Sequence, residues 1–420
     1  MNISFNKLSF WLINLVLTVL MLLVISLILL AAKTNPLTFL DIIFIEPWKN
    51  LSYFSGFLHI FSILLLIGLA AAITFKYKIY NFGIAGQMLF SALVTFIVGT
   101  AISDAGGTNR VIVIFLLLIT ILAGAFSGFL IAILKNYFKI NEIISTVLFN
   151  FIAWQGYKGV LASPSYQNKA IAQIFSLRFS LTSGPFNNSN LFSAGIILAI
   201  AIFLITIFFF SNRIFDFKLT VFSKNQSVAK QARINPNPEN LKILIIAGAI
   251  AGFAGYLLFL ATNNHLPEIS GIPQYGFYGV VIGALVFYQL LLIPISTFIF
   301  TLFIRPIEFD GFIYLSNPGL AVIIVGVAIY LMGIFPLFCY LWQASPKIQE
   351  NWLKFKRKLF KLATPIEAEL NQIKKTKPTR SLERLQIDLE PDKQGDSNKQ
   401  KLAKKAKKDL PKKQDQQDKD

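Results

Sequence analysis

Asn81-Phe82-Gly83-Ile84-Ala85-Gly86-Gln87-Met88 opens an apolar segment long enough to span a bilayer. Two glycines and two carboxamides are expensive there, because hydrocarbon satisfies neither a loosened backbone nor an amide. Such a stretch is tolerated where it lies against other helices and lines a polar path. The segment therefore points to passage across a membrane rather than to anchorage alone.

The chain around it fits that setting. Of 420 residues, 55% are hydrophobic, and the mean hydropathy is +0.61, so residues 1–345 are too apolar for a soluble domain of that size. Apolar runs recur at lengths that match a hydrocarbon core ~30 Å thick. The first, Trp11–Ala32, is longer than the ~7–15 apolar residues of a cleavable signal and shows no clear cleavage site, so it is expected to be a retained helix. The single cysteine, Cys339, excludes an internal disulfide and a cysteine metal site. His59 and His265 lie far apart without ligand spacing, and neither metal nor cofactor is expected.

Candidate spans fall near 10–32, 56–75, 82–102, 111–134, 143–162, 191–212, 242–262, 276–304 and 318–343. With the amino terminus in the cytosol, the positive-inside rule places Lys76, Lys78, Lys135, Lys139 and the loop 213–242 inside. The run 276–304 breaks the alternation: as one helix it would reach about 43 Å and put the lysine-rich tail outside. Two short or re-entrant pieces hinged near Gln289 and Pro294 restore it. The expectation is an all-α polytopic membrane protein of about ten segments, with both termini cytosolic.

A weak internal symmetry accompanies this count. Gly68-Leu-Ala-Ala-Ala followed by Asn81-Phe-Gly-Ile-Ala-Gly parallels Gly248-Ala-Ile-Ala-Gly followed by Tyr275-Gly-Phe-Tyr-Gly. The copies begin an odd number of segments apart, so they run in opposite directions. Paired interrupted helices in inverted repeats mark a transport site near the midplane.

Residues 346–420 form a basic tail with about 21 Lys/Arg against about 12 Asp/Glu. Its composition reads as disordered. The run Lys401-Leu-Ala-Lys-Lys-Ala-Lys-Lys has no aromatic residue for base stacking, so anionic lipid headgroups are expected as its partner rather than nucleic acid.

Within the loop 213–242, Gln226–Ala232 predicts a short helix capped by Asn225 and stopped by Pro236 and Pro238. A solvated connector is the plainer alternative. The loop resembles the cytoplasmic coupling loop of ABC importer permeases of the branched-chain amino acid, ribose and nucleoside group. That pattern is roughly basic-x-x-G-x-N-x-x-A-A-x-x-x-G-I. Asn225, Ala229 and Ile234 match it, whereas Ser223, Val228 and Arg233 stand where Gly, Ala and Gly are expected. Asn81–Met88, Asn141-Glu-Ile-Ile-Ser-Thr-Val-Leu-Phe-Asn150 and Tyr275–Leu285 are similar to segments of the nucleoside-type branch. The asparagine–proline that usually follows the last of these is absent.

The resemblance covers residues 55–335. It implies that a partner ATPase docks at the coupling loop, around Lys218, Ser223, Asn225, Val228, Ala229, Ala232 and Ile234. It also implies a second permease subunit, identical or homologous, and an extracytoplasmic substrate-binding lipoprotein. The chain has no GxxxxGK[ST] phosphate loop, so the energy of transport must come from a partner, and the chain itself is not expected to be an enzyme.

Candidate pathway residues are Asn81, Gly83, Gly86, Gln87, Asn150, Tyr275 and Phe277. The glycines either unwind segment three or let helices pack closely. Gln87 must face the bundle interior, toward solute or a neighbouring helix. Asn150 lies at mid-segment, where a polar group is hardest to explain as structure. Tyr275, Phe277 and Tyr278 either stack a flat ligand or form an interfacial belt. Asn141 and Glu142 form a helix cap or an inner gate. Carbonyl- and amide-rich contacts with no embedded acid or base suit a neutral solute, a nucleoside or sugar rather than an amino acid. The resemblance to the nucleoside-type branch puts nucleosides first, with simple sugars next. The same lack of an embedded acid speaks against an ion-coupled secondary transporter. A membrane anchor whose tail binds nucleic acid is the third alternative.

Overall fold

A computed structural model describes residues 7–33, 35–49, 51–106, 111–166, 178–180, 191–193, 195–260, 266–305, 320 and 323–334. The basic tail, Cys339 and His265 lie outside the described residues.

The chain is built of helices. They are α1 (Lys7–Ala31), α2 (Pro36–Phe44), α3 (Glu46–Lys49), α4 (Leu51–Lys76), α5 (Ile84–Asp104), α6 (Val111–Asn136) and α7 (Glu142–Ala162). Then come α8 (Gly195–Ser211), α9 (Arg213–Lys224), α10 (Gln226–Gln231), α11 (Pro236–Phe259), α12 (Tyr275–Leu285) and α13 (Ile293–Arg305), and finally α14 (Ile323–Ile334). A three-residue antiparallel pair, Arg178–Ser180 with Leu191–Ser193, lies between α7 and α8.

Among the described residues, four helices (within α4, α5, α6 and α11) are long and apolar enough to cross a membrane, or up to six if each of two bent pairs counts as one span. The ten-segment expectation is finer than this. Segments one and ten contain the shorter apolar helices Thr18–Ala31 and Ile323–Ile334. Segment five is α7, which spans 21 residues but carries Asn150, Gln155 and Lys158.

The run 276–304 does break. α12 and the Leu290–Arg305 limb are bent by 111°, and each limb is too short for a ~30 Å hydrocarbon core. The break closes α12 with a Schellman motif, in which Tyr288 N–H bonds Gly283 C=O at 2.7 Å and Phe287 N–H bonds Ala284 C=O at 3.0 Å. Phe287 and Tyr288 take φ of 51° and 57°, a region that side chains occupy at a cost. Stacking of Tyr288 on Phe75, with centroids 5.1 Å apart, holds the turn. The hinge thus falls at Phe287–Tyr288, just before Gln289, and Pro294 lies inside the following helix.

Small residues set the packing. α11 lies along α6 so closely that a Cβ on Gly124 would strike the Gly248 backbone, and one on Gly128 the Leu244 carbonyl. The Gly68 and Gly248 stretches serve different neighbours: Gly68 faces Ile282 and Ile293, whereas Gly248 faces Gly124. A regular exchange emerges from the contacts. α4 packs on α12 and α11 packs on α5, while α4 meets α11 and α5 meets α12.

Candidate functional site

α4 ends in its own Schellman turn, with Lys78 at φ 58° and Ile79 N–H bonded to Thr74 C=O at 2.9 Å. Residues 79–83 are not helical, and α5 starts only at Ile84. A helix start leaves N–H groups without intrahelical partners, and here they are buried. Gly83 N–H donates to Asn81 Oδ1 at 2.9 Å, and Gly86 N–H donates to Asn150 Oδ1 at 2.7 Å. Asn150 Nδ2 donates to Phe82 C=O at 2.9 Å, so one carboxamide from α7 spans the break ahead of α5. Asn81 Nδ2 donates to Gln87 Oε1 at 3.2 Å.

Asn81, Gln87 and Asn150 are all buried, and Gln87 Nε2 has no protein partner. A polar column continues above it: Ser91 Oγ donates to Gln87 C=O at 2.7 Å, and the Thr95 and Thr120 hydroxyls meet at 2.7 Å.

The glycines here act through close approach. A Cβ on Gly86 would sit 2.8 Å from Asn150 Cα, and one on Gly83 3.1 Å from the Thr146 carbonyl oxygen. Their freed N–H groups go to Asn81 and Asn150.

α12 joins this cluster end to end with α5. Gly276 seats on the Ala85 backbone with no room for a Cβ, so the two helix N-termini abut. Tyr278 points inward, its hydroxyl donating to Gln274 Oε1 at 2.9 Å and its ring 5.4 Å from Phe300. Tyr275 is half-buried and Phe277 faces outward, 42% exposed. The structure therefore unites Asn81, Gly83, Gly86, Gln87 and Asn150 and sets Tyr275 beside them, while Phe277 turns away from the buried core. Asn141 caps α7, accepting from Ile143 N–H at 2.8 Å. Glu142 lies 3.4 Å from Lys135.

In the loop, α10 ends one residue short of the expected helix. Asn225 caps it, accepting from Ser227 N–H at 2.9 Å and Val228 N–H at 3.2 Å. Ile234 N–H returns to Ala229 C=O at 2.8 Å with Arg233 at φ 55°, where the related pattern has glycine. Pro236 does not merely stop α10. It opens α11 at a position where the missing N–H costs nothing, behind the Asn235 cap. Lys218, Asn225, Val228 and Ala232 are exposed, whereas Ser223 and Ile234 are half-buried and Ala229 is fully buried.

Three features escaped the sequence reading. α9 is a separate amphipathic helix, bent 76° from α8 and legible from the spacing of Ile214, Phe217 and Val221. α7 exposes Gln155, Gly156, Lys158 and Gly159 beside Ile152, with Lys158 4.2 Å above the Trp154 ring. The third is charge: Glu46, Glu239 and Arg305 are buried near helix ends, although the spans read as free of buried acids and bases. Among the described residues, no three His, Cys, Asp or Glu side chains cluster to hold a metal.

Apolar helices, a discontinuous pair meeting at their N-termini, and buried amides define a multi-pass helical membrane permease. The chain matches the family described as branched-chain amino acid transport system, permease component, over residues 53–333, and it belongs to that family. It is 24% identical over 270 residues to the nucleoside ABC transporter permease NupB of Lactococcus lactis, covering 62% of this chain and 73% of that one. The guanosine ABC transporter permease NupP of Bacillus subtilis is 28% identical over 225 residues, 53% of this chain and 64% of NupP. The glucose ABC transporter permease TsgB13 of Haloferax volcanii is 26% identical over 270 residues, 61% of this chain and 70% of TsgB13.

Proposed function

We propose that this chain is the membrane-spanning subunit of an ATP-driven importer for nucleosides. The observation that carries the reading is the junction of α5 and α12. Two discontinuous helices meet at buried backbone and carboxamide groups, with the Gln87 Nε2 donor left for a ligand. Helix N-termini and neutral amides suit a solute rich in hydroxyl and ring acceptors. The names of NupB and NupP favour the nucleoside class, and that of TsgB13 keeps a simple sugar as the second reading.

The exchange of contacts, α4 with α12 and α11 with α5, supports two inverted repeats. In this reading ten segments cross or enter the membrane, both termini and residues 213–242 are cytosolic, and a separate ATPase docks on α10 through Val228 and Ala232. Nucleotide in that partner biases two arrangements of the helices, with the Phe287–Tyr288 turn as hinge. A second permease covers the α7 face that exposes Gln155 and Lys158, since lipid would leave both unsatisfied. An extracytoplasmic lipoprotein delivers solute, and the lysine-rich tail lies on anionic headgroups. Solute passes through without covalent change, and hydrolysis belongs to the partner.

The test is ATP-dependent uptake of labelled guanosine, uridine and glucose by vesicles carrying the reconstituted complex. Nucleoside uptake competed by unlabelled nucleoside is expected. Uptake of glucose alone would move the substrate to sugars, and ion-driven uptake without an ATPase would overturn the importer.

A further inference from the structure

The helix that follows α8 carries an unassigned surface. α9 is rigidly placed: Asn212 caps it, accepting from Ile214 N–H at 3.1 Å, and Leu219 and Phe222 are buried against the protein. Its one carboxylate, Asp216, is taken up by Lys76 Nζ at 2.8 Å and the Tyr77 hydroxyl at 2.7 Å. The opposite face exposes Ile214 and Phe217, 67% and 62% respectively. Just before the bend, at the end of α8, Phe208 and Phe209 are exposed as well. Arg213 and Lys224 flank the stripe on one side and Lys218 on the other, all three exposed. No described carboxylate forms an ion pair with them.

A helix bent 76° away from a membrane-facing helix, with an outward apolar stripe between two cationic rims, has the design of an in-plane interfacial helix. We propose that α9 lies in the headgroup boundary of the cytosolic leaflet. Ile214 and Phe217 enter the acyl region, and Arg213, Lys218 and Lys224 bind anionic phospholipid headgroups. The bilayer is the occupant because the stripe follows directly on the exposed apolar end of α8, at Phe208 and Phe209, and because Lys76 neutralises the one charge that would repel anions. The inference rests on the cytosolic placement of residues 213–242. It makes α9 a membrane-held strut immediately before the ATPase-docking α10.

The experiment uses the full chain with Cys339→Ser and a spin-labelled cysteine at F217C or V228C, in phosphatidylcholine vesicles with or without phosphatidylglycerol. F217C should collide with oxygen in preference to a water-soluble nickel chelate, and V228C should do the reverse. Phosphatidylglycerol should deepen and immobilise the F217C label, and each of R213Q, K218Q and K224Q should remove about fivefold of that lipid preference. Equal nickel access at F217C and V228C in both lipids overturns the proposal and assigns the face to a protein partner. A buried F217C label indifferent to phosphatidylglycerol overturns the anionic-headgroup claim. Labelling of V228C by an impermeant maleimide from each side reports the loop's sidedness separately.

Discussion

Asn150 Oδ1 accepts the Gly86 amide at 2.7 Å, placing a carboxamide from one helix where a capping side chain would stand on another. Its Nδ2 in turn donates a hydrogen bond to Phe82 C=O at 2.9 Å. It therefore satisfies a buried donor in the first turn of α5 and a part-buried acceptor in the non-helical stretch that precedes it. This cap acts between helices, and it fixes both the position of the α5 N-terminus and the spacing of α5 from α7.

Asn150→Leu should destabilise the detergent-solubilised permease by about 2–6 kcal/mol, since one buried and one part-buried backbone group lose their partners at ~1–3 kcal/mol each. A thermal unfolding midpoint should fall by several degrees. An unchanged midpoint would mean that water or another side chain replaces the carboxamide.

Gly86→Ala and Gly156→Ala should differ sharply. At Gly86 a methyl lands 2.8 Å from the Asn150 backbone, whereas at Gly156 the nearest atom is 3.8 Å away. The first should cost ~1–3 kcal/mol by overpacking. The second should leave the isolated subunit as stable or up to ~1 kcal/mol more stable through helix propensity. If a second permease covers α7, Gly156→Ala should still reduce recovery of the assembled complex in a pull-down.

Val228→Asp should uncouple transport from ATP hydrolysis while leaving the subunit folded, because Val228 is 47% exposed on α10. Ala229→Asp should behave differently. Its side chain is fully buried, and an inserted carboxylate should instead lower expression and thermal stability. ATPase activity and uptake, measured side by side for Val228→Asp, decide the matter.

Arg233→Gly should stabilise the loop. Arg233 sits at φ 55°, where a Cβ costs roughly 1–2 kcal/mol that glycine avoids. Slower hydrogen exchange at Ile234 N–H, whose bond to Ala229 closes α10, is the expected signature.

The α9 anchor to α4 should weaken in acid. Partial burial opposes ionisation of Asp216, but the Lys76 ammonium and Tyr77 hydroxyl outweigh it and hold its carboxyl below the ordinary range. A depressed folded value means the contribution is present above the unfolded carboxyl's pKa of about 3.9 and is lost as pH falls through the folded value. Exposure keeps it small, on the order of 0–1 kcal/mol. Asp216→Asn should flatten the acid limb of stability against pH.

The sequence alone carries the membrane setting, the cap at Asn225 and the break within 276–304. These depend on local chemistry: hydrocarbon thickness, an Asn side chain two residues ahead of unpaired amides, and a helix too long for one crossing. It also singled out Asn81, Gly86, Gln87 and Asn150, because amides and glycines in apolar runs demand an explanation. Tertiary structure alone decided that Asn150 satisfies Gly86, that Gly276 seats on Ala85, and that Val228 rather than Ala229 faces outward. Those outcomes depend on which helices adjoin, and small residues scattered through every apolar segment permit many adjacencies. The side chain that meets a freed backbone group is chosen only when the bundle closes around it.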